Sequence, residues 1–159
     1  MIKSNEIRIC VVGLGYVGLP LAVAFSKQYS VIGFDKNEER VKQLNGGIDK
    51  TLEVNKEKLK NANITYAIDP KEIANCNIYI ITVPTPVDKY NNPDMTPLSS
   101  ASKLIGGILN NGNIVIYEST VYPGATEDFC VPILEKNSYL KFNKDFFVGY
   151  SPERINPGD

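Results

Sequence analysis

Short apolar runs alternate with longer stretches of helical spacing along the whole chain, with no internal repeat and no low-complexity linker. Ile7 to Val12 reads as a buried strand, rich in β-branched residues and ended by glycine, and the spacing predicts a helix from Tyr16 to about Lys27. A second strand is predicted over Ser30 to Asp35. Asn37 then caps a helix whose first turn carries Glu38 and Glu39, favoured at the positive helix end, and which stops at Asn45-Gly46-Gly47. Further elements are a short helix from Val54 to Lys60, a strand from Ile64 to Ala67 and a helical turn from Pro70 to Ala74. Ile78 to Val83 is a strand running into Pro84-Thr85-Pro86, and a polar loop leads to a helix from about Pro97 to Leu109. Ile114 to Tyr117 is the next strand, Pro123-Gly124 opens a helix reaching roughly Lys136, and Phe146 to Tyr150 is the last strand.

Strands joined by helical crossovers imply an α/β fold with a mostly parallel, doubly wound sheet. Right-handed crossovers give the Rossmann order 3-2-1-4-5-6, with ligands at the carboxyl ends of the strands near the switch point. The polar stretch Ser151 to Asp159 holds Pro152 and Pro157 and no closing helix, so residues 1–159 are expected to be one domain of a longer enzyme.

Gly13-Leu14-Gly15-Tyr16-Val17-Gly18 fits G-x-G-x-x-G between a strand and a helix, with Ala22 following on the same helix face. Gly13 makes the tight turn, Gly15 lets a pyrophosphate approach the backbone, and Gly18 permits close packing of helix on strand. Free N–H groups and the helix dipole favour the anion. Asp35 lies twenty residues after Gly15 at the end of the second strand. A carboxylate there accepts hydrogen bonds from an adenosine ribose and repels a 2′-phosphate, which points to NAD. The bland alternative is a tight turn beside a helix cap. Lys36 and Arg40 are close enough in sequence to neutralise a 2′-phosphate, Arg40 can also stack on adenine, and each is otherwise a solvated cation.

Composition narrows the chemistry. The chain has 159 residues, 43% hydrophobic and 22% charged, which suits a packed domain rather than disorder. Lysine plus arginine number 17 against 18 aspartate plus glutamate, so there is no basic excess to recruit nucleic acid or an anionic membrane. Histidine is absent, which excludes Ser-His-Asp, Cys-His and His-ligated metal sites built from these residues. Cys10, Cys76 and Cys130 lack C-x-x-C spacing and read as reduced, buried thiols of a cytoplasmic protein. Ile9 to Ser26 carries no charge and is flanked by Arg8 and Lys27, as an export or membrane segment is, but Gly13, Gly15, Gly18 and Pro20 argue against a spanning helix.

Val83-Pro84-Thr85-Pro86 and Glu118-Ser119-Thr120 follow the fourth and fifth strands and would face the same cleft. Their hydroxyls can hold a water or a sugar, or can simply satisfy backbone groups of the loops. Glu153 follows the last strand. It can act as a base on a water, or pair with Arg154 at the surface.

Val12 to Pro20, Gly33-Phe34-Asp35, Thr82 to Pro86, Tyr117 to Gly124 and Tyr150 to Asp159 together resemble the UDP-glucose/GDP-mannose dehydrogenase family over the whole chain. The likeness is greatest to the acetamido-sugar branch, the UDP-N-acetylglucosamine or UDP-N-acetylgalactosamine 6-dehydrogenases of capsule, Vi-antigen and O-antigen synthesis. The UDP-glucose branch has a Pro-Glu-Phe-Leu type segment where Pro152-Glu153-Arg154-Ile155 stands here.

The resemblance implies oxidation of a sugar C6 alcohol to a carboxylate with two NAD+, through a cysteine-bound thiohemiacetal and thioester. It assigns Thr120 and Glu153 to positioning the water and the reacting C6. It implies cofactor contacts at Gly13, Gly15, Tyr16, Val17, Gly18, Asp35, Arg40, Val83, Pro84, Thr85 and Ser119. None of the three cysteines matches the family nucleophile, so the chain alone is expected to bind NAD without completing turnover. Family enzymes form homo-oligomers through a later helix, which leaves a monomer open for this piece. Two other classes fit a single Rossmann unit: a non-catalytic nucleotide-sensing module and the cofactor domain of a hydroxy-acid dehydrogenase.

Overall fold

The computed structural model describes residues 6–90 and 92–152. Six strands form one sheet in the order β3-β2-β1-β4-β5-β6, and every pairing is parallel. The strands are β1 (Arg8–Val12), β2 (Ser30–Phe34), β3 (Ile64–Ala67), β4 (Ile78–Ile81), β5 (Ile114–Tyr117) and β6 (Phe147–Tyr150). The helices are α1 (Gly18–Phe25), α2 (Glu38–Asn45), α3 (Lys56–Asn61), α4 (Pro70–Ile73), α5 (Thr96–Gly106) and α6 (Val131–Ser138). The doubly wound order expected from the crossovers is therefore the observed one.

Alternation along β1 shows why its sequence is apolar from Ile9 to Val12. Ile9 and Val11 face one side, where Leu19 and Ala22 of α1, Leu44 of α2 and Leu59 of α3 cover them. Cys10 and Val12 face the other, in a cluster with Leu98, Ala101 and Ile105 of α5 and Leu134 of α6. A strand buried on both faces has no position for a polar side chain unless it is paired. On the α5 side Ser102 meets this condition by a 2.7 Å hydrogen bond to the Tyr117 hydroxyl, both residues being fully buried.

Helix boundaries follow local chemistry more closely than periodicity. α1 starts at Gly18 rather than Tyr16, because residues 13–17 stay in the loop. Asn37 caps α2 as expected, accepting from the Arg40 N–H at 3.2 Å. α3 starts two residues after the predicted Val54, because Asn55 accepts the Lys58 N–H at 2.8 Å and so fixes the first turn. The helix expected from Pro123-Gly124 to Lys136 is instead a π-helical turn, Thr126–Cys130, followed by α6. Pro132 has no N–H and its ring would collide with the carbonyl four residues back, so the turn widens and Val131 N–H bonds Thr126.

No helix among the described residues is long and apolar enough to cross a membrane. The uncharged stretch from Ile9 is divided between β1, the glycine turn and α1. All three cysteines are free and buried.

Candidate functional site

The carboxyl ends of β1, β2, β4 and β5 open on a crevice of about 440 Å³. Its lining brings together Gly13, Gly15, Tyr16, Val17, Asp35, Val83, Pro84, Thr85, Ser119 and Thr120, ten of the thirteen residues singled out from the sequence. Gly18 and Arg40 do not line it. Glu153 falls outside the described residues.

Each glycine of the turn is constrained differently. Gly13 has φ of +96°, a conformation that side chains rarely adopt. A Cβ on Gly18 would stand 1.8 Å from the Gly13 carbonyl oxygen and 2.4 Å from the Thr82 hydroxyl, so only hydrogen fits. A Cβ on Gly15 would meet nothing within 4 Å. Space at Gly15 is therefore left for something other than protein, and Gly15 lines the crevice. That combination fits a diphosphate lying against the backbone where α1 begins.

Asp35 holds the turn from the side. Its Oδ2 accepts the Leu14 N–H and its Oδ1 the Asn37 N–H, both at 2.9 Å. Two charge-assisted bonds fix the carboxylate at the crevice rim, and each oxygen keeps a lone pair for ribose hydroxyls. Beside it an apolar slot of about 220 Å³ runs between Phe34, Pro84 and the Pro97, Ala101 and Leu104 side of α5, with Lys36 at its edge. A flat aromatic base suits such a slot. Sequence reading missed the α5 contribution; the apolar positions of that helix were visible, but not which of them reach the cleft.

The loops after β4 and β5 are stitched together by hydroxyls. Ser119 Oγ donates to the Val83 carbonyl at 2.6 Å, and Thr85 Oγ1 donates to the Thr120 carbonyl at 2.5 Å. Their donor hydrogens are thus used to hold the cleft wall, while their lone pairs remain for a ligand. Thr82 was overlooked as a site residue. Its buried hydroxyl donates toward the carbonyls of Gly13 at 2.7 Å and Val12 at 3.1 Å, tying β4 to the glycine turn.

Arg40 is neither solvated nor in the crevice lining. Its Nε donates to the Leu14 carbonyl at 2.8 Å and its Nη2 pairs with Asp49 Oδ1 at 2.8 Å. Burial pushes the Asp49 carboxyl upward, but hydrogen bonds from Thr51, Val54 and Arg40 outweigh it and hold the group below its ordinary value. Among the described residues, no cluster of three or more cysteines, aspartates or glutamates has the arrangement of a metal site.

A parallel sheet whose glycine turn, acidic rim and apolar slot converge at the switch point defines a dinucleotide-binding domain. The sequence profile of the UDP-glucose/GDP-mannose dehydrogenase family, NAD binding domain, matches residues 7–159, and the chain belongs to that family as its NAD-binding domain. It is 58% identical over 156 residues to the UDP-N-acetyl-D-glucosamine 6-dehydrogenase of Pseudomonas aeruginosa, covering 98% of this chain and 37% of that protein. It is also 58% identical over 152 residues to protein CapL of Staphylococcus aureus, covering 96% of this chain and 36% of that one. The structure superposes on that of UDP-D-ManNAc dehydrogenase from Pyrococcus horikoshii with a TM-score of 0.87 at 35% identity, over 96% of this chain and 37% of the other. The chain thus spans little more than a third of the relatives it matches.

Proposed function

We propose that residues 1–159 are the cofactor domain of a cytoplasmic nucleotide-sugar 6-dehydrogenase. The substrate is a UDP-N-acetylhexosamine whose C6 alcohol becomes a carboxylate for surface polysaccharide synthesis. The observation that carries this reading is the convergence on one crevice of the glycine turn, Asp35 and the Thr85, Ser119 and Thr120 loops, in a chain with 58% identity to a UDP-N-acetyl-D-glucosamine 6-dehydrogenase. The cysteine that bonds the sugar, the connecting helix and the sugar-binding domain belong to the remainder of the enzyme, which works as a homo-oligomer.

Bound NAD+ supplies a hydride acceptor. Oxidation of alcohol to carboxylate consumes one water and two NAD+, and releases two NADH and three protons. The chain's own residues prepare that chemistry. Backbone N–H groups of residues 15–17 would hold the diphosphate, those of Gly13 and Leu14 being taken by the Phe34 carbonyl and Asp35, and Asp35 would accept from the ribose and turn away a 2′-phosphate. Tyr16, Val17, Val83 and Pro84, which line the crevice, would exclude water from the bound cofactor. Thr120 orients the attacking water, and Glu153 accepts its proton.

Steady-state assay of the full-length enzyme tests this. Two NADH are expected per UDP-N-acetylhexosamine, and Glu153→Gln is expected to slow the hydrolytic half of the reaction at least a hundredfold, within the usual range for a lost general base of about 10²–10⁴. No NADH with either the gluco or the galacto UDP-N-acetyl sugar would overturn the assignment.

A further inference from the structure

Between α2 and α3 the chain makes a polar loop with one charged side chain turned inward. Asp49 has a side chain only 1% exposed, and Arg40, its partner at 2.8 Å, is 10% exposed. The loop is wrapped around this carboxylate: Oδ1 accepts the Thr51 N–H at 3.0 Å and the Thr51 hydroxyl at 2.7 Å, and Oδ2 accepts the Val54 N–H at 2.9 Å. A buried charge is costly to build, and here three local bonds and one cation compensate it.

That cation is Arg40. The Nη1 of that side chain is buried with no hydrogen-bond partner among the described residues, and its Nη2 reaches Thr51 only at 3.4 Å. Orientation of the guanidinium therefore rests on Asp49 at one end and on the 2.8 Å bond from Nε to the Leu14 carbonyl at the other. The carbonyl of Leu14 and the N–H of Gly15 belong to one peptide plane. In a trans peptide they point in opposite directions, and no peptide bond among the described residues is cis. Fixing the Leu14 carbonyl against Arg40 thus turns the Gly15 N–H the other way. The preceding plane is fixed in the same manner, its carbonyl by Thr82 and its Leu14 N–H by Asp35.

We infer that Asp49 is a positioning residue for the cofactor: acting through Arg40, it sets the Leu14–Gly15 peptide so that its N–H faces the diphosphate. Asp49 does not line the crevice and does not touch the ligand. The inference rests on the crevice taking NAD, as proposed above.

A double-mutant cycle on the full-length enzyme, read as NAD dissociation constants by calorimetry, separates this role from general scaffolding. Asp49→Asn keeps one acceptor oxygen, enough for the Thr51 N–H but not also for the Val54 N–H, while removing the charge that holds Arg40, and is expected to weaken NAD binding about tenfold, or 1.4 kcal/mol. Arg40→Met is expected to weaken it at least as much, and adding Asp49→Asn to Arg40→Met is expected to cost nothing further. Wild-type affinity in Asp49→Asn, or losses that simply add in the double variant, would overturn the role. Should Asp49→Asn fail to fold, Thr51→Val loosens the same carboxylate from the loop; a weaker NAD complex supports the role and an unchanged one refutes it. If the wild type itself binds no NAD, the reading of the crevice fails, and this inference with it.

Discussion

Gly15 and Gly18 belong to one motif, yet the structure separates what each would suffer on gaining a methyl group. In Gly18→Ala the new carbon would lie 1.8 Å from the Gly13 carbonyl oxygen, 2.4 Å from Thr82 Oγ1 and 3.0 Å from the Gly13 carbonyl carbon. Normal separation for such pairs exceeds 3 Å, and two of the three neighbours are backbone. The turn must move by more than an ångström, and the Thr82 bond to Gly13 at 2.7 Å moves with it. Overpacking costs about 1–3 kcal/mol where side chains can yield, so a backbone collision is placed at about 3 kcal/mol or above. For a chain of this size each kcal/mol lowers the melting temperature by about 3 °C, giving a fall of roughly 9 °C. In Gly15→Ala the methyl meets nothing within 4 Å, and Gly15 has no positive φ. Its melting temperature is expected to be unchanged or raised, by up to about 1 kcal/mol of stability from the stiffer unfolded chain. The same methyl occupies the diphosphate path, so NAD affinity is expected to fall at least tenfold. Thermal unfolding of both variants beside NAD calorimetry on Gly15→Ala checks the pair. A wild-type melting temperature in Gly18→Ala, or wild-type NAD affinity in Gly15→Ala, would refute the reasoning.

Three other outcomes are expected. Ser102→Ala removes one partner of a fully buried tyrosine hydroxyl that also meets the Cys130 thiol and should cost about 1–3 kcal/mol in urea denaturation while leaving NAD affinity unchanged. Burial pushes the Cys130 thiol up to about 11, so almost no thiolate exists at pH 8. Cys130 should resist a thiol reagent in the native protein and react at once in denaturant. The lowered Asp49 carboxyl makes its contribution to stability complete above the unfolded carboxylate value, near pH 4, and lost as pH falls through the lower folded value. Acid titrations should therefore show the stability gap between wild type and Asp49→Asn closing below about pH 4.

Much of the architecture was legible because both faces of the sheet are covered. Ile64–Ala67 and Ile114–Tyr117 were bounded correctly, and the crossovers implied the strand order that is observed. The glycine turn and Asp35 were legible for a different reason: Gly13 needs a positive φ, Gly18 has room for hydrogen alone and Asp35 accepts the Leu14 N–H, so their spacing is set by the geometry of one turn. What escaped was non-local. Nothing in Gly47-Ile48-Asp49-Lys50 distinguishes a buried carboxylate from a solvated one, and Arg40 reads equally well as a surface cation. Their pairing exists only once α2 and the following loop fold back on the glycine turn. Thr82 lay at the end of an apolar run and read as one more β-branched residue, although its hydroxyl ties two strands together. Pro132 within a helical pattern was the available sign of the π-helical turn.

In the function proposed above, Asp35 and the glycine turn select one dinucleotide. Parallel calorimetric titrations of NAD and NADP into wild type and Asp35→Ala test this directly. NAD should bind the wild type more tightly than NADP does, and Asp35→Ala should lose NAD affinity and with it most of that preference. Equal affinities for the two cofactors in the wild type, or an undiminished NAD affinity in Asp35→Ala, would contradict it.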